Sequence, residues 1–452
     1  MAGTFVTGQQ VVKLATILVV LRTLLRRAAM RPTMRGTSMT TAMPSGFGPL
    51  AGLRVLDLSW VLSGPFSTMT LSDLGADVVK CERPPFGDVA RTTGPLKDGE
   101  SGYFFSINRG KRSIALDLQQ PEGVALFKRL AKNFDVVVEN FRPGVMDRLG
   151  VGYEELSKDN PRLIYAAISG YGQTGPMRDK PALDVVVQGA GGILSITGEV
   201  GGPPVRPGTS LGDIAAGLYM AVGILSAVYE RERSGLGQMI DVSMLDCQVS
   251  ILENAFLRYL LTGQAPGPMG TRHPWAVPFQ AFPTQDGYIV IALAWGVPNQ
   301  WALLCTELDR VDLIDDPRFA TADARANHHA ELEPLLNEAF RTKPTDAWLP
   351  LLEQYGIPCG PLNTIPEVMQ MPQLHARDMF VPVEHHTLGE MPLVNTPVKL
   401  SRTPGGIRGS SPDMGADSRS VIHDELGLSD AEIDELVAAQ VVWTERPAVD
   451  LG

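Results

Sequence analysis

The sequence predicts an α/β protein built on a doubly wound parallel sheet. Two observations carry this: short apolar runs recur along the first half of the chain, and stretches of about a dozen residues with helical periodicity separate them. Parallel neighbours need a crossover between them, and an intervening helix supplies it.

In order, Leu53–Leu58 (LRVLDL) reads as the first strand, followed by a loop through Gly64 and Pro65 and a helical stretch to Gly75. Asp77–Glu82 (DVVKCE) is the second strand and Ser113–Leu118 the third. Pro121–Lys132 is a helix opened by proline at its first turn, where the missing N–H costs nothing. Asp135–Glu139 and Arg162–Ser169 follow as strands. Ile214–Tyr229 carries no charge, yet it is short of the ~20 apolar residues a membrane span needs, so it reads as a buried helix. Met239–Ser243 is strand-like, Met244–Leu261 reads as one long helix, and Thr262–Pro268 is a linker. A second unit begins with the strand Gly287–Leu293, continues in helices between Asn299 and Tyr355, and ends in a proline-rich approach to Val398. Asp413–Gln440 has the acidic, amphipathic look of surface helices.

Such a sheet invites a dinucleotide. The first strand–helix turn, Ser59 to Pro65, contains a single glycine, so the three-glycine fingerprint that admits a pyrophosphate is missing. With 452 residues, 44% apolar and 20% charged, the composition is that of a globular enzyme, and the net charge of −11 argues against a nucleic-acid partner. It leaves room for an anionic ligand held by a local arginine cluster. The cysteines Cys81, Cys247, Cys305 and Cys359 are scattered, which suggests a reducing compartment without a disulfide framework or zinc site. The pairs His328-His329 and His385-His386 point their members in different directions, so no metal is expected.

Residues 1–46 hold Lys13, Arg22, Arg26, Arg27, Arg31 and Arg35 and no acid. Subtracting these six leaves 33 basic against 50 acidic residues, or −17. A transit peptide, a signal peptide and an over-extended gene start compete for this leader; the last is favoured, with Met30, Met34, Met39 and Met43 as later starts. The expected location is the cytoplasm, or the mitochondrial matrix if the leader is a true transit peptide.

Pro204–Gln238 is the most informative stretch. A glycine-broken loop ends at Leu211-Gly212-Asp213, directly before the uncharged helix. At a helix N-terminus the free N–H groups and the dipole favour an ionised carboxylate, and the ordinary reading of Asp213 is an N-cap. Gly212 also lets a ligand come close, which makes the carboxylate a candidate nucleophile.

This stretch, together with Gly170-Tyr171-Gly172-Gln173-Thr174-Gly175-Pro176 and Val138-Glu139-Asn140-Phe141-Arg142-Pro143-Gly144, resembles the family III CoA-transferases from about Leu50 onwards. The resemblance implies a Rossmann-like large domain, a smaller α+β domain and an interlocked homodimer. It divides the chain into the leader 1–46, a CoA-binding domain 47–261, a small domain with its linker 262–372, and a returning segment 373–452. It implies acyl-CoA and a small carboxylic acid as substrates, no permanently bound cofactor, no metal and no membrane. Asp213 would be acylated by the donor and then carry CoA as a thioester. Val61, Leu62 and Ser63 would lie beside the thiol arm, and Arg83, Leu116, Leu118, Asn140, Phe141 and Arg148 would contact CoA.

Two departures bear on the acceptor. Leu62 stands where formyl-CoA transferases have glutamine, and their tetraglycine loop is missing, which disfavours oxalate. Gly270–His273 with Val277–Phe282 looks like the dicarboxylate branch of the succinyl-CoA:glutarate type, so Arg272 and His273 would bind a remote carboxylate, with Arg206 as fallback. The rival α-methylacyl-CoA racemases place histidine where this chain has Leu183, before Asp184, which removes the second base. A non-catalytic acyl-CoA-binding protein is the remaining alternative, and the intact Gly212-Asp213 element opposes it.

Overall fold

The computed structural model describes residues 48–293 and 297–446, so the leader lies outside the described residues. The described residues fall into two compact units: those within 269–364, and those of 48–268 with 365–446.

The larger unit is built on six parallel strands: β1 (Arg54–Asp57), β2 (Asp77–Glu82), β3 (Arg112–Leu116), β4 (Val136–Glu139), β5 (Ile164–Ser169) and β6 (Met239–Ser243). A seventh strand that sequence reading missed, Val442–Trp443, joins β3 antiparallel at the edge. The spatial order is Val442–Trp443, β3, β2, β1, β4, β5, β6. The six parallel strands therefore run 3-2-1-4-5-6, and the winding reverses between β1 and β4.

Helices cover both faces, which is why the strands are apolar almost throughout. On one face Leu56, Val79, Ile114 and Val137 meet Leu126, Phe127 and Leu130 of α2 (Pro121–Lys132), together with Val421, Ile422 and Ile433 of the C-terminal helices. On the other, Val55, Val78, Val136 and Ile164 meet Leu71 of α1 (Ser63–Asp73) and Ala216, Met220 and Ile224 of the long helix α4 (Leu211–Ser234). Between them in sequence lies the short helix α3 (Asp184–Ala190).

Two helix readings need correction. The helix at Asp213 starts at Leu211 and ends at Ser234, and only one side of it is buried: Leu218, Tyr219, Val222 and Tyr229 are exposed. It is long and apolar enough to cross a membrane, but its buried side packs on the sheet. The segment Met244–Leu261 is two helices, α5 (Met244–Ser250) and α6 (Ala255–Thr262), broken by a turn in which Glu253 takes φ 53°. No residue of α6 is buried, although it carries Phe256, Leu257, Tyr259, Leu260 and Leu261.

The smaller unit has a three-stranded antiparallel sheet, Phe279–Pro283, Tyr288–Ala292 and Cys359–Pro361, with the middle segment at its centre. Phe282, Ile289, Ile291, Leu336, Phe340 and Trp348 form its core.

Candidate active site

Where the winding of a parallel sheet reverses, the loops leaving two neighbouring strands part and open a crevice at the strands' C-terminal ends. Here the crevice lies between the loop after β1, which runs into α1, and the Asn140-Phe141 segment after β4. The Asn140 amide ties the two together. Its Oδ1 accepts from Trp60 N–H at 2.7 Å, and its Nδ2 donates to Trp60 O at 2.7 Å and to Ser63 Oγ at 3.1 Å.

A buried charge network supports this loop from below. Asp57, at the end of β1, accepts from Lys111 Nζ at 2.9 Å, Thr68 Oγ1 at 2.6 Å, and the amide and hydroxyl of Ser59. Lys80 donates to Ser59 O at 2.7 Å and pairs with Asp88 at 2.8 Å. Asp88 in turn accepts the Val61 N–H at 3.0 Å. Val61 sits at φ 64°, a left-handed conformation that a β-branched residue adopts only when its surroundings force it. Burial would raise the Asp57 carboxyl, but Lys111, Lys80 and the two hydroxyls outweigh it and hold its pKa at about 2. Burial pushes Lys111 down to about 8, which still leaves it charged at neutral pH.

Asp213 faces the crevice from the first turn of α4. The cap position belongs to Ser210, so the N-cap reading of Asp213 fails. Two glycines allow the approach. A Cβ on Gly212 would meet Val187 at 2.8 Å and Asp184 Oδ1 at 3.1 Å, and one on Gly217 would lie 2.7 Å from Ser63 O. Without them the N-termini of α1 and α4 could not converge.

Asp184, at the start of α3, fixes the turn. Its Oδ1 accepts the Gly212 N–H at 2.9 Å, and its Oδ2 accepts from Gln188 at 2.7 Å and Arg206 at 3.1 Å. Arg206 also bonds Ser210 Oγ at 3.0 Å, so it braces the turn. Burial and the neighbouring Asp184 charge push the Asp213 carboxyl up to about 7, against a hydrogen bond from Ser63 and the charge of Arg206. The helix terminus was expected to keep this carboxylate ionised; burial beside a second acid overrides it. Because Ser63 Oγ accepts from Asn140, its own proton is free to point at Asp213.

A cavity of about 230 Å³ holds Asp213 together with Val61, Leu62, Ser63, Asn140 and Phe141. Next to it, a second cavity of about 270 Å³ is lined by Arg83, Leu116, Leu118 and Phe141. Trp60 and Phe141 line both, and their rings meet edge to face at 5.6 Å. Arg148 lines neither cavity; its guanidinium lies against Gly144. Arg142, Arg178 and Lys180 line the Asp213 cavity, a cationic rim that sequence reading missed because the three are scattered along loops. Tyr103 was also missed. It packs with Leu62 and Ile214, and burial with the charges of Asp213, Asp88 and Asp184 pushes its hydroxyl up to about 12.

Arg272 and His273 belong to the smaller unit. Arg272 donates to Met269 O at 3.2 Å and contacts His329 Nδ1 at 2.8 Å, while the His273 ring stacks on Phe279 at 5.0 Å. As for metals, Glu100, His386 and Asp413 bring ligand atoms within 4.8 Å of one another, a largely exposed cluster that shares no residue with either cavity.

A carboxylate at two converging helix N-termini, in a pocket joined to a second apolar pocket with an arginine at its side, suits an enzyme that handles a long anionic thioester. Comparison with known proteins agrees. Residues 50–418 match CoA-transferase family III. The chain is 38% identical to human succinyl-CoA:glutarate CoA-transferase over 93% of this chain and 98% of the relative. It is 44% identical to acetyl-CoA:oxalate CoA-transferase of Acetobacter aceti, over 81% of this chain and 92% of that one. Its fold superposes on a CAIB/BAIF family protein from Brucella suis with a TM-score of 0.76 at 39% identity, covering 84% of this chain and all of the other. The sheet, the crevice at its switch point and these likenesses lead to one assignment: the chain belongs to family III of the CoA-transferases.

Proposed function

We propose that the protein moves CoA from succinyl-CoA to a small dicarboxylic acid, with Asp213 as the covalent nucleophile. The observation that carries this is the Asp213 carboxyl itself, preceded by Gly212, set in a pocket and poised near neutrality. A buried acid with few compensating partners is costly to keep for structure and useful for chemistry.

An Asp213 oxygen attacks the thioester carbonyl, the C–S bond breaks, and CoA leaves as thiolate, giving a mixed anhydride. The thiolate attacks the Asp213 carboxyl carbon, an aspartyl-CoA thioester forms, and the donor acid departs as carboxylate. The acceptor carboxylate then attacks this thioester and releases the thiolate. Attack of the thiolate on the acceptor's own carbonyl yields the new acyl-CoA and restores Asp213. Every step conserves charge and needs neither metal nor ATP. Each addition makes an oxyanion, and the first-turn N–H groups of Ser63 and Gly64, left without helical partners, are suited to it.

The adenine end of CoA would occupy the cavity with Arg83, Leu116 and Leu118, and the thiol arm would pass between Trp60 and Phe141 to Asp213. Arg148 and the rim of Arg142, Arg178 and Lys180 would face its phosphates. Arg272 and His273 would take the acceptor's remote carboxylate. Arg206 is set aside for that role, because Asp184 already holds it. The named substrates of the relatives make glutarate the first acceptor to try and keep oxalate among the candidates.

The exposed apolar residues of α4 and α6 support a homodimer, since a monomer gains nothing by leaving Leu260 and Leu261 in water. Sedimentation at micromolar concentration tests this.

For the chemistry, the enzyme is incubated with succinyl-CoA alone, quenched in acid and digested. A succinyl or CoA adduct should appear on the Asp213 peptide, yield to hydroxylamine, and be missing in Asp213→Ala. Full turnover with no adduct on that peptide would overturn the covalent mechanism.

A further inference from the structure

Around Arg272 the hydrogen bonds form a chain whose polarity can be assigned atom by atom. A guanidinium only donates, so the His329 Nδ1 at 2.8 Å from Arg272 Nη1 must present its lone pair. The ring proton therefore sits on Nε2, which donates to Gln280 Oε1 at 2.6 Å. Gln280 Nε2 then donates to Glu333 Oε1 at 2.8 Å. Flipping the Gln280 amide would face donor to donor at His329 and acceptor to acceptor at Glu333, so only one orientation satisfies the chain. Glu333 lies 3.6 Å from His329 Nδ1, beyond hydrogen-bond reach, which leaves that nitrogen to Arg272.

The components come from three elements: Arg272 from a loop, Gln280 from the strand Phe279–Pro283, and His329 and Glu333 from the helix His329–Phe340. His329 and Gln280 are buried, and Arg272 is half-buried. The loop is fastened at its other side too, where Thr271 Oγ1 accepts the Ala281 N–H at 3.0 Å. Arg272 Nε is committed to Met269 O. Among the described residues Nη2 makes no hydrogen bond or ion pair, so one edge of the guanidinium is pinned and the other is available to a ligand.

We infer that His329 is a positioning residue for substrate recognition: its unprotonated Nδ1 holds the Arg272 guanidinium in one orientation, with the free edge set to receive a carboxylate. This rests on the reading of Arg272 as the anchor for the acceptor's remote carboxylate. A planar guanidinium binds a carboxylate through two parallel N–H groups only when its plane is fixed, and a long side chain left free spends binding energy on being ordered. The environment favours the neutral ring, since burial and the Arg272 charge hold His329 below the usual histidine range against the opposing charge of Glu333.

Two substitutions separate positioning from packing. In His329→Asn the amide oxygen can stand where Nδ1 stands, whereas the longer side chain of His329→Gln reaches the Nε2 position and leaves Arg272 without an acceptor. With succinyl-CoA and glutarate, His329→Gln should raise the KM for glutarate about ten-fold, as expected for loss of one charged hydrogen bond, with kcat unchanged; the succinyl group carries a remote carboxylate of its own, so the KM for succinyl-CoA should rise in parallel. His329→Asn should keep the glutarate KM within about two-fold of the parent, because the charged bond is retained. Melting temperatures of the two variants should fall together, since each loses one bond of the chain. Equal glutarate KM values in the two variants, while Arg272→Ala raises that KM, would overturn the positioning role and leave the anchor reading intact. An unchanged glutarate KM in Arg272→Ala would overturn the anchor reading and this inference with it.

Discussion

Asp57, at the end of β1, and Asp213, in the first turn of α4, are two acids of one unit whose carboxyls are shifted in opposite directions. Asp57 is fully buried, yet two lysines and two hydroxyls hold it at about 2. Asp213 is less buried and has a single hydroxyl donor and a second acid nearby, which leaves it at about 7. Depth of burial does not decide which carboxylate is reactive; the number of compensating partners does. The partnered acid holds the loop, and the under-partnered one faces the cavity.

The largest expected effect tests the reactive side. Asp213→Ala should lower kcat by at least about a thousand-fold, because no other group can form the acyl-enzyme. Circular dichroism should show the fold unchanged, since no cap is lost. Retained turnover would show the contrast between the two acids to be irrelevant to catalysis.

The structural side is tested by Lys80→Met. It leaves Asp88 and part of the Asp57 charge buried without a counter-ion, which should cost about 3–5 kcal/mol in chemical denaturation. Asp57 adds a pH signature. Its folded pKa is depressed, so its contribution is complete above the unfolded value of 3.8 and is lost as pH falls through about 2. A Lys80→Met enzyme as stable as the parent would mean the network is dispensable.

These two acids were not equally legible in the sequence. Asp213 was, because a glycine-preceded acid before a long uncharged segment is a local pattern. The parallel sheet was legible too, since each strand announces itself as an apolar run bounded by turns. Asp57 and Lys80 passed unremarked inside LRVLDL and DVVKCE, although a lysine within a buried strand is itself a signal that a partner waits nearby. That partner, Asp88, is eight residues further on in a loop, and Lys111 is 54 residues from Asp57, so only the folded chain brings them together. The break between α5 and α6 was hidden because apolar residues resume straight after Glu253 and Asn254, on a helix that has no buried residue. The Val442–Trp443 strand is too short to carry a period.

The pH dependence of acylation sharpens the comparison further. With succinyl-CoA saturating, the acylation rate should rise with pH along a limb of apparent pKa about 7, since only ionised Asp213 attacks. Its folded pKa lies above the unfolded value of 3.8, so the folded state binds the extra proton between those limits, and stability falls as pH rises through that window. Asp213→Asn should therefore melt higher than the parent at pH 8 and show little difference at pH 4. A parent enzyme that gains stability from pH 4 to pH 7 relative to this variant would reverse the assignment.

The smallest effect isolates Asp184, which both anchors the Gly212 amide and raises Asp213 by its charge. Asp184→Asn keeps an amide oxygen for the Gly212 N–H and removes the charge. It also releases Arg206, whose cation then favours ionised Asp213. Both changes act in one direction, so the acylation midpoint should move to lower pH, by less than about one unit because burial, the first cause of the shift, is untouched. Asp184→Ala loses the anchor as well, and it should lower the plateau rate in addition to shifting the midpoint. Parallel profiles for the two variants would mean that Asp184 acts by charge alone. A midpoint unmoved in Asp184→Asn would mean that burial by itself sets the reactivity of Asp213, and the pairing of two acids at the head of α3 and α4 would then serve only to hold the turn.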